Sequence, residues 1–126
     1  MIFAPLLLLA AQDVPVDCAK AVAQTDMNQC AYRAYQKADR AMNAQWRVTL
    51  AAMRRWDRST AKDGLGPPPA QLLLASQRAW LAYRDAQCRI EGQYARGGTM
   101  QPMLESSCME TLTIRRTEEL QELITD

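Results

Sequence analysis

The sequence predicts an all-α protein: a small, disulfide-stapled antiparallel bundle of three long helices, with a short helical segment at the N-terminus. Three observations support this class. Apolar residues recur at helical spacing in three stretches, which segments rich in glycine or proline separate. Alanine and glutamine are frequent, whereas aromatic residues make up only 6% of the chain, a composition that favours helix over sheet. Four cysteines, an even number in a short chain, indicate two disulfides.

The length and composition describe one ordinary globular domain. The chain has 126 residues, of which 48% are hydrophobic and 23% charged, and its formal net charge is +1. A nucleic-acid-binding domain usually carries a strong excess of basic residues, which the chain as a whole does not have. We therefore expect no nucleic-acid partner.

The N-terminus predicts export. An apolar run of ten residues lies within residues 1–11. A membrane-spanning helix needs about 20 apolar residues, so this run is too short to cross a bilayer but fits the core of a signal peptide. The alternative is a helix of the mature fold that frays at its start. We expect a signal peptide at 1–11 and a soluble periplasmic or secreted domain at 12–126, without a transmembrane span. A lipid anchor is not expected, because Val16 and Asp17 precede Cys18 where a lipid-attachment site has small residues.

The cysteines Cys18, Cys30, Cys88 and Cys108 can pair in three ways, and sequence alone does not choose between them. Helix geometry favours one pairing. Cys88 falls late in one predicted helix and Cys108 early in the next, so an antiparallel hairpin would bring these two side by side and leave Cys18 for Cys30. Zinc binding is the alternative. Because the chain has no CxxC spacing and no histidine, we expect neither a metal nor a cofactor.

The first predicted helix is long and begins near Thr25. One side carries an apolar stripe that we interpret as core: Ala31, Tyr35, Ala38, Met42, Trp46, Thr49, Met53 and Trp56. The opposite side is basic, because eight basic and two acidic residues within 33–62 give a local charge of +6. This face, with Arg47, Arg54 and Arg55 as candidate contacts, would suit anionic envelope polymers or lipid headgroups. The alternative is a solvated face that the acidic last helix partly balances.

The segment KDGLGPPPA at 62–70 ends the first helix, and the second helix carries the stretch QRAWLAYRDAQC from Gln77 to Cys88. At helical spacing, Gln77 and Arg84 share the inward arc of this helix with an indole and a cysteine. A buried arginine needs an acceptor, because an unpaired buried charge costs several kcal/mol. Another helix should therefore supply a carboxylate.

Asp39 is the candidate for that carboxylate. It lies on the flank of the apolar stripe rather than on the basic face, and in an antiparallel pair of helices Arg84 would come back level with residues 39–43. We hypothesise that Asp39, together with Asn43, receives Arg84. The alternative is that Asp39 reaches water at the helix edge.

The turn Gly97–Thr99 precedes the last predicted helix, which runs from about Met100 to Ile124. From Gln101 onward, six acidic residues and two arginines give a charge of −4. This charge complements the basic helix and would stabilise the bundle. The same helix also offers carboxylates for contact with a partner: Glu105, Glu110, Glu118, Glu119 and Glu122.

Motifs of known catalytic chemistry are not found in the sequence. Without histidine there is no Ser-His or Cys-His pair, and no glycine-rich phosphate loop follows a strand. Exposed methionine and aromatic side chains would suit a recognition groove, but at helical spacing we interpret them as core. We expect that the protein is not an enzyme.

Several motifs of this chain together match a known family. They are TDMNQC (Thr25–Cys30), AMNAQW (Ala41–Trp46), QRAWLAYRDAQC (Gln77–Cys88), GGT (Gly97–Thr99) and Cys108 with the TLTIRR run after it. In these motifs and their spacing the chain resembles the LprI-like lysozyme inhibitor N-terminal domain family, small exported helical proteins with four cysteines. The resemblance implies an all-helical domain in the periplasm or outside the cell that inhibits lysozyme. It assigns no inhibitory residue, because the matching positions look like scaffold.

Two functions follow as hypotheses. Lysozymes of the common type are strongly basic, so an inhibitor should present acid to them, and the last helix from Glu105 to Asp126 is the expected contact. The alternative is a periplasmic envelope interaction or stress module that does not inhibit lysozyme. Such a module would bind an anionic polymer or another envelope protein through the basic helix.

Overall fold

The computed structural model describes residues 14–125 and contains three α-helices. They are α1 (Gln24–Thr60), α2 (Pro69–Gly92) and α3 (Gln101–Glu122), with a single turn of 3-10 helix, Gln93–Ala95, after α2. No strand occurs in the described residues. The all-α class that the sequence predicts is therefore found, with three α-helices in the described residues. The signal peptide predicted at 1–11 lies outside the described residues.

The short N-terminal helical segment is not found in residues 14–23, which contain a turn and otherwise irregular backbone. Asp17 explains the turn, because its Oδ1 accepts a hydrogen bond from the Ala19 backbone N–H at 3.0 Å and its carbonyl accepts one from the Lys20 N–H at 3.1 Å. Short acidic side chains often replace helical backbone bonds in this way. The segment is held on α1 by Arg33, whose NH1 donates to the Val16 carbonyl at 2.8 Å.

None of the three described α-helices has a side-chain hydrogen bond from its N-cap residue. α1 starts after Ala23, whose methyl side chain cannot accept such a bond. α2 starts at Pro69, whose fixed φ suits a first helical position. Its next backbone N–H, that of Ala70, donates to Oδ1 of Asp57 at 2.9 Å. A side chain of α1 therefore satisfies one of the free donors at the start of α2.

The order of contacts defines how the helices are arranged. Between α1 and α2, Asp57 is hydrogen-bonded to Ala70 and Asp39 to Arg84. Residue numbers therefore decrease along α2 as the numbers of their contacts on α1 increase. Between α1 and α3, the side chain of Gln24 contacts Met103 and that of Thr49 contacts Leu120. Residue numbers on α3 therefore increase with the numbers of their contacts on α1. This order is the one expected when α2 runs opposite to both α1 and α3.

A small apolar core lies between the helices towards the loop that joins α1 to α2. Met42, Met53, Leu73 and Leu120 are buried, and larger side chains such as Trp46 and Trp80 pack against them. Burying each such side chain contributes about 1.5–3 kcal/mol. Thr49 is also fully buried, and its hydroxyl donates to the Leu120 carbonyl at 2.9 Å. The apolar stripe predicted for α1 therefore faces the core over most of its length.

The structure pairs Cys18 with Cys30 and Cys88 with Cys108, with Cα–Cα distances of 5.6 Å and 5.4 Å. Both distances are usual for a disulfide. Both bridges lie at the same end of the bundle, where α1 and α3 begin and α2 ends; we refer to it as the disulfide end. The opposite end holds residues 61–68 and the last turn of α3, and we refer to it as the loop end. None of the described helices is long and apolar enough to cross a membrane.

Candidate functional site

Two buried arginines lie over one indole in the middle of the bundle. Arg84 of α2 is 6% exposed and Arg116 of α3 is 7% exposed. Their guanidinium carbons lie 5.2 Å and 5.7 Å from the centre of the Trp80 ring. Such cation–π contacts are stronger when the charge is removed from water. The arginines and their hydrogen-bond partners form what we refer to as the polar cluster.

Arg84 is held by acceptors from all three helices. Its NH1 donates to Oδ1 of Asp39 at 3.3 Å and to the Thr113 hydroxyl at 3.2 Å, and its Nε donates to Oδ1 of Asp85 at 3.1 Å. Asn43 does not touch the arginine; its amide donates to Oδ2 of Asp39 at 3.2 Å. The structure thus places Asp39 against Arg84, with Asn43 behind it. Sequence reasoning missed Thr113 and Asp85.

Arg116 has a partner for each of its three nitrogens. Nε donates to Oε1 of Gln77 at 3.0 Å, NH2 to the Ser76 hydroxyl at 2.9 Å and NH1 to Oε2 of Glu119 at 2.9 Å. The side-chain amide of Gln77 also donates to the sulfur of Met42 at 3.7 Å. The side-chain amide of Gln77 therefore links α2 to α1 through its nitrogen and to α3 through its oxygen.

Sequence reasoning missed Arg116, although a signal for it was present. It follows Cys108 by eight residues and precedes Leu120 by four, and both of these are buried. At 100° per residue this spacing places Arg116 between them, on the inward arc of α3. A basic residue at the centre of a buried arc predicts a second buried arginine.

The polar cluster has the properties of a scaffold. No buried side-chain nitrogen or oxygen in the described residues lacks a hydrogen-bond partner. Leaving a buried hydrogen-bonding group without its partner costs about 1–3 kcal/mol, so the cluster favours one alignment of the helices. In the described residues no three His, Cys, Asp or Glu side chains are close enough together to hold a metal ion.

A cleft of about 390 Å³ opens at the disulfide end. Tyr32 and Tyr35 of α1 line one side, with their ring centres 6.0 Å apart, and Arg84 and Glu105 line other parts. Burial raises the pKa of the Tyr35 phenol; Arg84 opposes the shift, and Asp39 adds to it. Tyr35 therefore stays a neutral hydrogen-bond donor over the physiological range.

The five candidate carboxylates of the last helix do not form one surface. Glu105 is half-buried at the disulfide end, where it accepts from the Gln101 side-chain amide at 3.1 Å, and Glu110 is also half-buried. Glu118, Glu119 and Glu122 are exposed near the loop end. Only these last three are open to a large partner.

The candidate arginines of α1 are exposed and unpaired. Arg47, Arg54 and Arg55 lie on the outer side of α1. Within the described part of the chain, no carboxylate approaches any of them to ion-pair distance. The acidic helix therefore does not neutralise this basic face by direct contact.

An apolar groove of about 760 Å³ lies at the loop end, between the last turns of α1 and the first turns of α2. Met53 and Leu73 form its buried floor. Large apolar side chains at its edges are exposed: Trp56 by 54%, Leu72 by 55%, Leu123 by 55% and Leu65 by 87%. Sequence reasoning interpreted Trp56 as core, and the structure corrects this: Trp56 is on the predicted face of α1, but no helix within residues 14–125 covers it.

Comparison with known proteins identifies two similarities. The family model described as "Lysozyme inhibitor LprI" matches residues 17–120. A protein of Rhizobium meliloti (strain 1021), described as uncharacterized, is 44% identical over 115 residues, which cover 90% of this chain and 83% of the relative. No solved structure matches the chain significantly.

Proposed function

The chain belongs to the lysozyme inhibitor LprI family, and we propose from this that it is an exported, non-enzymatic binding protein that inhibits lysozyme. The single observation that carries the proposal is the family match, which spans residues 17–120 and so includes α1, α2, all but the last two residues of α3, and both disulfides. The structure adds a stable scaffold to present a binding surface.

Export is part of the proposal. Disulfides form and persist in oxidising compartments, and the described residues contain two disulfides and no free cysteine. The apolar run in residues 1–11 fits a signal peptide. A periplasmic or secreted location accounts for both features, and it is where lysozyme would be met.

Charge indicates which surface contacts lysozyme. Lysozymes of the common type are strongly basic, and complementary charge speeds encounter and fixes orientation. Glu118, Glu119 and Glu122 are the exposed acidic group near the loop end. We propose that this end faces the enzyme and that the basic face of α1 points away from it.

The direct test is an inhibition assay. Increasing amounts of the purified, oxidised protein are mixed with hen-type lysozyme, and lysis of a cell-wall substrate is followed by turbidity. We expect the lysis rate to fall as the inhibitor is added and to level off once the enzyme is saturated. Equal lysis rates across a wide molar excess would dismiss the proposal.

One observation favours a second candidate function. Because Arg47, Arg54 and Arg55 are exposed without ion pairs in the described residues, α1 presents charge that an anionic envelope polymer could neutralise. This function predicts retention on an anionic glycan or lipid surface that weakens as salt is raised. Retention that is absent at low salt would exclude it.

A further inference from the structure

We propose that the apolar groove at the loop end is the docking site for lysozyme, and that it receives an apolar side chain flanked by basic residues on the enzyme surface. The inference rests on the proposed function and adds the surface that carries it. The groove was not expected from the sequence.

The groove has the form of an anchor site in a protein interface. Its volume of about 760 Å³ lies in the range of sites that enclose a ligand or side-chain anchor. Aromatic and aliphatic side chains surround it, and exposed contiguous apolar patches on soluble proteins mark interaction sites. Interface energy concentrates where such side chains are buried at the centre of a contact. Trp56 and Leu72, each about half exposed, are placed to supply that energy.

The charge of the groove selects a basic partner. Two of the residues that line it are acidic, Asp57 and Asp63, and none is basic. Next to it, Leu123 of the lining follows Glu122 in sequence. An apolar site bordered by carboxylates favours an apolar side chain that has Lys or Arg neighbours, and it disfavours an acidic partner or an anionic lipid surface.

The basic residues of α1 lie elsewhere on the surface. Arg54, Arg55 and Arg58 are exposed, and none of them lines the groove. The lining of the groove is therefore acidic, whereas the exposed cations next to it in sequence, Arg58 and Lys62, are not part of the lining. A basic partner that fills the groove meets the carboxylates of Asp57 and Asp63 there.

The floor of the groove is fixed, whereas its outer edge is open. The bond from Ala70 N–H to Asp57 and the bond from Arg116 to Ser76 hold the walls together. Residues 61–68 form an edge in which every residue is exposed, and this edge lies away from both disulfides. Such an edge can adjust to a partner without moving the core, as loops on a rigid scaffold do.

Substitutions on α1 and α2 test the inference. Trp56→Ser and Leu72→Ser remove apolar surface from the groove, and Ile90→Ser is the matched control, because Ile90 is also exposed on α2 but lies near the disulfide end. The dissociation constant for hen-type lysozyme is measured by calorimetry and inhibition by turbidity. Circular dichroism and the melting temperature check the fold of each variant. If Trp56→Ser is poorly folded, Leu72→Ser carries the test.

We expect each groove variant to bind lysozyme about tenfold more weakly or worse, and the control to stay within about twofold of the wild type. If the wild type binds lysozyme and the groove variants bind it equally tightly, the docking site is overturned and the proposed function still stands. A wild type that neither binds nor inhibits would end both. If sedimentation shows a wild-type dimer that Leu72→Ser dissociates while lysozyme binding is unchanged, the groove is a self-association surface and the docking site is likewise overturned.

Discussion

Asp39 and Arg84 form an ion pair of 3.3 Å that joins α1 to α2 across 45 positions of the sequence. The arginine side chain is 7% exposed and the aspartate side chain 33%, so the buried charge is the arginine. Arg84 lies on α2 and its carboxylate partner Asp39 lies on α1. The ion pair therefore fixes the position of α2 along the axis of α1. This pair gives the most direct test of the scaffold.

We expect Asp39→Asn to lower the free energy of unfolding by about 1–2 kcal/mol, less than for a fully buried pair, because Arg84 keeps Thr113 and Asp85 as acceptors. Urea denaturation measures the change. Glu118→Gln is the control, because Glu118 is exposed and forms no ion pair within the described residues. Equal stability of wild type and Asp39→Asn would show that the ion pair does not support the fold.

Arg116→Ala should be more damaging, with a loss of about 2–4 kcal/mol, because it leaves a cavity and an unpaired buried oxygen. The substitution removes three hydrogen bonds, and Oε1 of the buried Gln77 loses the donor that it has in the wild type. The neighbouring Arg115→Ala is the matched control, because Arg115 is exposed. Thermal melting of the two variants, compared at the same pH and salt, decides the question: similar melting temperatures would contradict a role for Arg116 in the core.

The two disulfides should contribute unequally. Cys88–Cys108 joins two helices of the bundle, so replacing both of its cysteines by alanine should cost about 2–4 kcal/mol. Cys18–Cys30 ties a non-helical segment to α1, so the corresponding double variant should lose less and mainly release residues 14–23. Denaturation curves give the costs, and peptide mapping of the oxidised wild type should recover both pairs. The hypothesis fails if the Cys18–Cys30 variant is the less stable of the two.

Position 92 requires glycine because of a neighbouring side chain and not because of its backbone conformation. A Cβ at this position would overlap the side chain of Glu105 on α3. Gly92→Ala should therefore destabilise the protein by about 1 kcal/mol even though alanine is the better helix former. Adding Glu105→Ala to the same chain should recover that loss. Additive effects of the two substitutions in a double-mutant cycle would rule out the contact.

The charged faces can be compared directly. Glu118→Gln with Glu122→Gln should slow association with lysozyme several-fold at low salt, with a smaller effect at high salt. Arg54→Gln with Arg55→Gln changes the same number of charges on another face, and it should leave association as fast or slightly faster. Stopped-flow mixing measures both. The opposite result, with only the arginine variant slowed, would favour the basic face as the contact.

Much of the scaffold could be predicted from the sequence. The helical period and the glycine- and proline-rich turns indicated three helices, and the arc shared by Gln77 and Arg84 indicated that α2 turns polar groups inward. The proximity of Asp39 to Arg84 followed from matching levels on two helices. These features depend on local geometry, which spacing along one chain reports well.

The remaining features depend on what covers each face. Ile114 of α3 is apolar but 45% exposed, whereas Thr113 beside it is fully buried and its hydroxyl accepts a hydrogen bond from Arg84. Polar residues fill part of this core, so apolar periodicity misplaces the inward arc of α3. At the loop end Trp56 lies on the predicted face of α1, but no helix in the described part of the chain packs over it. A sequence pattern predicts the direction of a side chain, and only the packing shows whether anything meets it.

The placement of the two disulfides also determines what a protease can do to this protein. Each bridge closes within one part of the chain, so α1 is linked covalently to the α2–α3 hairpin only through residues 61–68. One cut there would yield two fragments held together by packing alone, whereas a cut between α2 and α3 would leave the pieces joined by Cys88–Cys108. Of the two connections between helices, residues 61–68 form the one whose cleavage would divide the molecule, and the three consecutive prolines at 67–69, which many proteases do not cleave, lie where this connection meets α2.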